Sequence, residues 1–114
     1  MLEEILYEFL NNGVDLDAPV YTMIPKDQPA EYYVFELTGS SNKDHINKST
    51  IVIRSHAQSL KRAADLAYDI DNTMLHALKR LDYIAGVERN TVSNFTDQDT
   101  RTYRYQGVYV ITHY

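Results

Sequence analysis

The chain is 114 residues long, 44% hydrophobic and 24% charged, with a formal net charge of −5 and a pI near 5.2. That length suits one domain, 1–114, built on a single core, and an acidic chain without a basic run is poorly equipped to hold nucleic-acid phosphates. The lack of cysteine excludes disulfides, thiolate nucleophiles and zinc–thiolate sites. Met1-Leu2-Glu3-Glu4 opens acidic and amphipathic, so no signal peptide is read. No apolar run reaches the length of a membrane span, and synthesis in a cytoplasm is expected.

In chain order, Leu2, Ile5, Leu6, Phe9 and Leu10 recur at helical spacing, with Glu3 and Glu4 at the favourable end and Asn12-Gly13 as a stop. Residues 14–19 read as a linker into a strand at 20–24, which Pro25 closes. A turn at 26–30 precedes a second strand, 32–38, dense in aromatic and β-branched residues. The polar run 39–47 reads as a loop, and 50–54 as a third strand. Ser55-His56-Ala57-Gln58 has the form of a capping box, which predicts a helix over 56–81. Its apolar stripe is Leu60, Ala63, Ala64, Ala67, Ile70, Met74, Leu78 and Leu81, with Asp71 inside the stripe and in need of a partner. A fourth strand is expected at 83–90, a loop at 91–101, and a terminal strand from Tyr103. The order α-β-β-β-α-β-β predicts an α+β fold, an antiparallel-rich mixed sheet with one long helix and a short N-terminal one.

The terminal strand is unusual. One face reads Tyr103, Tyr105, Tyr109, Ile111 and His113; the other reads Arg104, Gln106, Val108, Val110, Thr112 and Tyr114. A strand with one wet face alternates apolar and polar residues. This one is half-apolar on both sides, rich in tyrosine, which suits surfaces that are wet when free and dry when bound. One helix layer covers one face, so self-association is expected; the alternative is that the first helix covers the second face in a three-layer monomer.

No catalytic constellation emerges. Asp65, Asp69, Asn72 and His76 line one helix face, but the neutral amide before His76 is a poor metal ligand, and the row reads as a solvated face. Asp97-Gln98-Asp99-Thr100 lacks the glycine and distal glutamate of a calcium loop. Ser55 and His56, adjacent at a strand end, point apart. Isolated glycines make no phosphate cradle, and Lys43, His45 and Lys48 form only a dilute basic patch. No enzyme, metal site or cofactor is expected. The two long polar segments are the candidate partner-binding elements, giving Asn42, Lys43, His45 and Asn47 from the first and Asn94 and Asp97 from the second. Tyr103, Tyr105 and Tyr109 join them.

Glu36-Leu37-Thr38-Gly39-Ser40, Asp44-His45-Ile46-Asn47, Ile53-Arg54-Ser55-His56-Ala57-Gln58-Ser59, Asn94-Phe95-Thr96-Asp97 and Tyr103-Arg104-Tyr105-Gln106, in this order, resemble head-to-tail joining proteins of siphophage-like tailed phages infecting Gram-positive bacteria, of the tail-terminator type. The resemblance covers about two thirds of the chain, from Tyr33 onward, and its order and spacing carry the weight. It implies a non-enzymatic virion component that assembles as a ring, a hexamer, on the end of the tail tube. Its implied partners are other copies of itself, the major tail tube protein and head connector proteins, with no direct nucleic acid and no membrane. Another head–tail connector or minor capsid component is the alternative, and a small prophage enzyme or ligand-binding domain a more distant one.

Overall fold

In a computed structural model describing residues 2–100 and 102–114, the first apolar stripe forms helix α1 (Leu2–Glu8), which runs on as a wider π-helical turn over Phe9–Gly13. Met1, and Arg101 at the end of the second expected loop, lie outside the described residues. Leu2, Leu6, Phe9 and Leu10 are buried, as helical spacing requires. Asn11 ties the next segment down: its amide donates to the Val20 carbonyl and its oxygen accepts from the Val20 N–H, both at 3.1 Å. Strand β1 is therefore short (Val20–Tyr21) and pairs in parallel with β2 (Tyr32–Lys43) through Val20↔Tyr33 and Tyr21↔Val34.

The expected polar loop 39–47 is not a loop. Strand β2 continues to Lys43 and β3 (Ile46–Ala57) begins at Ile46, so only Asp44 and His45 turn the chain, with φ of 53° and 66°. Two consecutive positive φ values make the tight, right-twisting hairpin connection, and short polar side chains tolerate it better than most. Polar pairs replace the missing apolar alternation: the Ser40 and Ser49 hydroxyls meet at 3.0 Å, and Asn42 Nδ2 donates to Asn47 Oδ1 at 2.7 Å.

The expected capping box at Ser55 is also displaced. Ser55 and His56 belong to β3, paired with Tyr33 and Tyr32 on one side and with Tyr105 and Arg104 on the other. Ladder bonds on both sides outweigh one cap. The cap is Ser59, in extended conformation, whose hydroxyl accepts from the Arg62 N–H at 3.2 Å. Helix α2 (Leu60–Asn72) continues through a π-helical turn, Thr73–Ala77, and a 3-10 turn, Leu78–Arg80. Its buried residues are Ala63, Leu66, Ala67, Ile70, Asp71, Thr73, Met74 and Leu78. Leu60, expected in the stripe, is exposed at the first turn, and Leu66 takes a core position instead.

Strand β4 (Ile84–Asn94) overruns the expected strand end, so the second loop starts at residue 95 rather than 91. It leads to β5 (Tyr103–His113), and the sheet order is β1-β2-β3-β5-β4, antiparallel except at β1. The fold is α+β. Both helices pack on the same face. One core cluster joins Leu6 and Leu10 of α1 and Leu66, Ile70, Met74 and Leu78 of α2 to Tyr33, Phe35, Ile51, Ile53, Tyr109 and Ile111 of the sheet. The first helix thus doubles the first layer and leaves the second face without one.

Tyr109 shows how that layer is fixed. Its ring lies back over Gly107, where an added Cβ would meet the ring at 2.8 Å, which explains a glycine inside a strand. Its hydroxyl donates to Asp71 Oδ1 at 2.8 Å, while Arg89 from β4 holds Asp71 Oδ2 at 2.8 Å. Asp71 thus finds partners for both oxygens. Tyr33 donates to the Leu66 carbonyl at 2.8 Å. Burial raises both phenols above the usual tyrosine range, with the Asp71 carboxylate adding to the shift of Tyr109.

Candidate interaction site

Strand residues directly opposite one another share a face, so the register defines the side of the sheet away from the helices. Across β2, β3, β5 and β4 it carries Val34, Val52, Val108 and Val110, with Thr50, Thr112 and Thr91 among them. Val52 stands opposite Val108 and Thr50 opposite Val110. Val34 and Val52 are buried, and Val108 and Val110 are half-buried. This is an apolar row that no secondary-structure layer covers.

Polar and aromatic groups frame the row towards the far end of β3. Arg54 bonds Glu36 at 3.0 Å and Gln106 at 3.1 Å. Phe95 folds over this end, with the guanidinium carbons of Arg104 and Arg54 at 4.7 and 5.8 Å from its ring centre. Arg104 Nε also donates to the Phe95 carbonyl at 2.8 Å. His56 stacks on Tyr32 with ring centres 4.5 Å apart, and neither ring nitrogen has a hydrogen-bond partner among the described residues. Burial first, then the Arg104 and Arg54 charges, push its pKa down to about 4. His56 is a neutral part of the face at physiological pH.

The expected contact residues divide between the two ends of the sheet. Asn42, Lys43, His45 and Asn47 sit at the β2–β3 turn, and Asn47 pairs with His113. Asn94 and Asp97 lie at the other end, where Ala57 pairs with Tyr103. Asn47 and Ala57 lie ten steps apart along β3, which is about 34 Å of strand. The structure does not bring the two groups together. Asn94 and Asp97 have local work: Asn94 Oδ1 accepts from the Thr96 N–H at 2.9 Å, and Asp97 Oδ1 accepts from the Asp99 and Thr100 N–H groups. The Thr100 side-chain and backbone bonds, then that of Asp99, hold the Asp97 carboxyl below the usual range.

The tyrosines are corrected. Tyr103 and Tyr105 are half-buried, and Tyr109 is fully buried beneath α2. They lie on the covered face with Ile111 and His113; the uncovered face of β5 is the one with Arg104, Gln106, Val108, Val110 and Thr112. The period-two reading separated the faces, but tyrosine content suggested the wrong one as open. Phe95, Arg54 and the Tyr32–His56 stack were missed; the alternation of Tyr32, Val34 and Glu36 against Tyr33, Phe35 and Leu37 is the signal that places the first set on the open side.

One surface feature stands apart from the sheet face. A groove of about 590 Å³ runs between α1 and the segment after β1. Among the described residues, no helix is long and apolar enough to cross a membrane. Neither a protein-family model nor a curated protein matches the chain.

Proposed function

We propose that this chain is a non-enzymatic virion protein, a tail terminator that assembles as a ring, a hexamer, on the end of a phage tail tube and helps join tail to head. The observation that carries the reading is the sheet with one covered face. Val108 and Val110, still partly exposed within a polar frame, are what an assembly surface requires: apolar enough to gain from burial, polar enough to stay wet before assembly. The motif order from Glu36 to Gln106 points to the same class. In this role the partners are other copies, the major tail tube protein and head connector proteins, and neither nucleic acid nor membrane. Its place is the head–tail junction of the virion, reached from the host cytoplasm during assembly.

The test is termination itself. Tube protein polymerised with increasing amounts of this protein should give shorter tubes, each bearing a ring at one end in electron micrographs. Unchanged tube length with no end density would overturn the terminator role, and binding to connectors alone would move the protein to the connector class.

A further inference from the structure

The groove beside α1 and the tip of the β2–β3 hairpin are complementary to one another. Helix α1 and the π-helical turn after it bury Leu2, Leu6, Phe9 and Leu10, which leaves Tyr7 facing outward with Glu4 one turn before it and Glu8 next to it. Met23 and Ile24 form the opposite wall and are 77% and 59% exposed. Adjacent large apolar side chains this exposed gain nothing in the isolated chain. Glu3, Glu4 and Glu8 line the groove, no Lys or Arg does, and none of the three carboxylates is ion-paired among the described residues.

The hairpin tip has the opposite character. Ile46 is 42% exposed, Lys43 stands directly across the ladder from it, and Lys48 lies two residues along the same face. Neither lysine is ion-paired among the described residues. Asp44, in the turn, offsets part of this charge but lies off the ladder. The tip cannot fill its own chain's groove. Thr22, on the groove wall, also lines a cleft with Leu37, and Lys43 is six residues further along β2, about 20 Å away.

We propose that the occupant of the groove is a second copy of this chain: Ile46 of one subunit seats against Tyr7, Met23 and Ile24 of the next, with Lys43 and Lys48 facing the α1 glutamates. The contact joins two different patches, so it is heterologous and propagates head to tail, closing into a ring where the rotation allows. The apolar seat supplies the attraction, and the charges set orientation and exclude a wrong register. This deepens the ring reading by naming the subunit contact, and it stands or falls separately from tube capping.

The chain has no cysteine, so a pair of single variants reports the contact directly. Ile46→Cys mixed with Met23→Cys under mild oxidation should give a mixed disulfide at least about tenfold faster than Ile46→Cys mixed with Tyr68→Cys, whose exposed side chain on α2 lies outside the groove, a ratio corresponding to the tenfold affinity step of about 1.4 kcal/mol. The preference should fall with added salt. In sedimentation, Lys43→Glu with Lys48→Glu should weaken self-association about tenfold, and Glu4→Lys with Glu8→Lys in the partner subunit should restore it. Equal cross-linking rates, or rings that form undisturbed by the lysine changes, would overturn this contact while leaving the ring intact. Tubes left uncapped by a protein that still cross-links at the expected pair would overturn the terminator role and leave the contact standing.

Discussion

The two faces of the sheet share the same strands, yet they are built differently. On the covered face, large side chains lock to helices by packing and by hydrogen bonds: Tyr109 to Asp71, Tyr33 to the Leu66 carbonyl. On the open face, medium-sized valines and threonines lie flat among Arg54, Arg104, Glu36 and Gln106. The first face has committed its apolar surface within the chain. The second holds its apolar surface in reserve, and a substitution should therefore damage stability on one side and association on the other.

The largest expected effect is on the covered side. Ala67 is 3% exposed where α2 meets the sheet. Ala67→Glu would bury an unpaired charge and should cost about 3 kcal/mol or more, read as a lower urea midpoint. A parent-like midpoint would show that the helix face is misassigned. Next is the tyrosine network. Tyr109→Phe leaves Asp71 Oδ1 without its donor and should cost about 1–3 kcal/mol. Gly107→Ala pushes a methyl against a ring that Asp71 holds in place, and about 1–3 kcal/mol of overpacking cost is expected.

His56 gives a pH signature for the open face. Its folded pKa of about 4 lies below the unfolded 6.5, so the unfolded chain takes up the proton first. The His56 contribution is intact above about pH 6.5, is lost as the pH falls towards 4, and is constant below; its full range is at most about 3 kcal/mol. His56→Phe keeps the stack on Tyr32 and removes two nitrogens that have no partner among the described residues. Thermal melts of that variant should be at least as high at neutral pH and flatter between pH 6.5 and 4. An unchanged pH slope would remove His56 as its source.

The smallest stability effect should accompany a large functional one. Val110→Lys places its amine on the open face opposite Glu88 and beside Thr50. A stability change within about 1 kcal/mol is expected, together with loss of tube capping. An unfolded variant would mean the valine row is core after all. A folded, fully active one would mean that the row is not an interface.

How much of this was legible in the sequence follows from where signals are local. Element order, most of the apolar stripe of α2 and the need of Asp71 for a partner rest on periodicity, and the structure carries them except that Leu60 is exposed and Leu66 takes a core place. The hairpin was hidden because Gly39, Ser40, Ser41 and Asn42 are poor strand formers in isolation, and their pairing depends on β3, itself held on its other side by β5. The true cap, Ser59, was masked by a better local pattern four residues earlier. Tyr109 was misplaced because tyrosine suits a buried hydroxyl with a partner as well as an interface, and its partner lies 38 positions away. The groove needs the outer face of α1 set against Met23 and Ile24, a juxtaposition that periodicity in either segment does not contain.

We propose that the uncovered face makes this chain an assembly subunit. Sedimentation velocity over a wide concentration range, with and without tail tubes, tests it most directly. The expected result is reversible, concentration-dependent association to a closed ring, and co-sedimentation with tubes at a fixed number of rings per tube end. A strict monomer at every concentration that also leaves the tubes bare would contradict it.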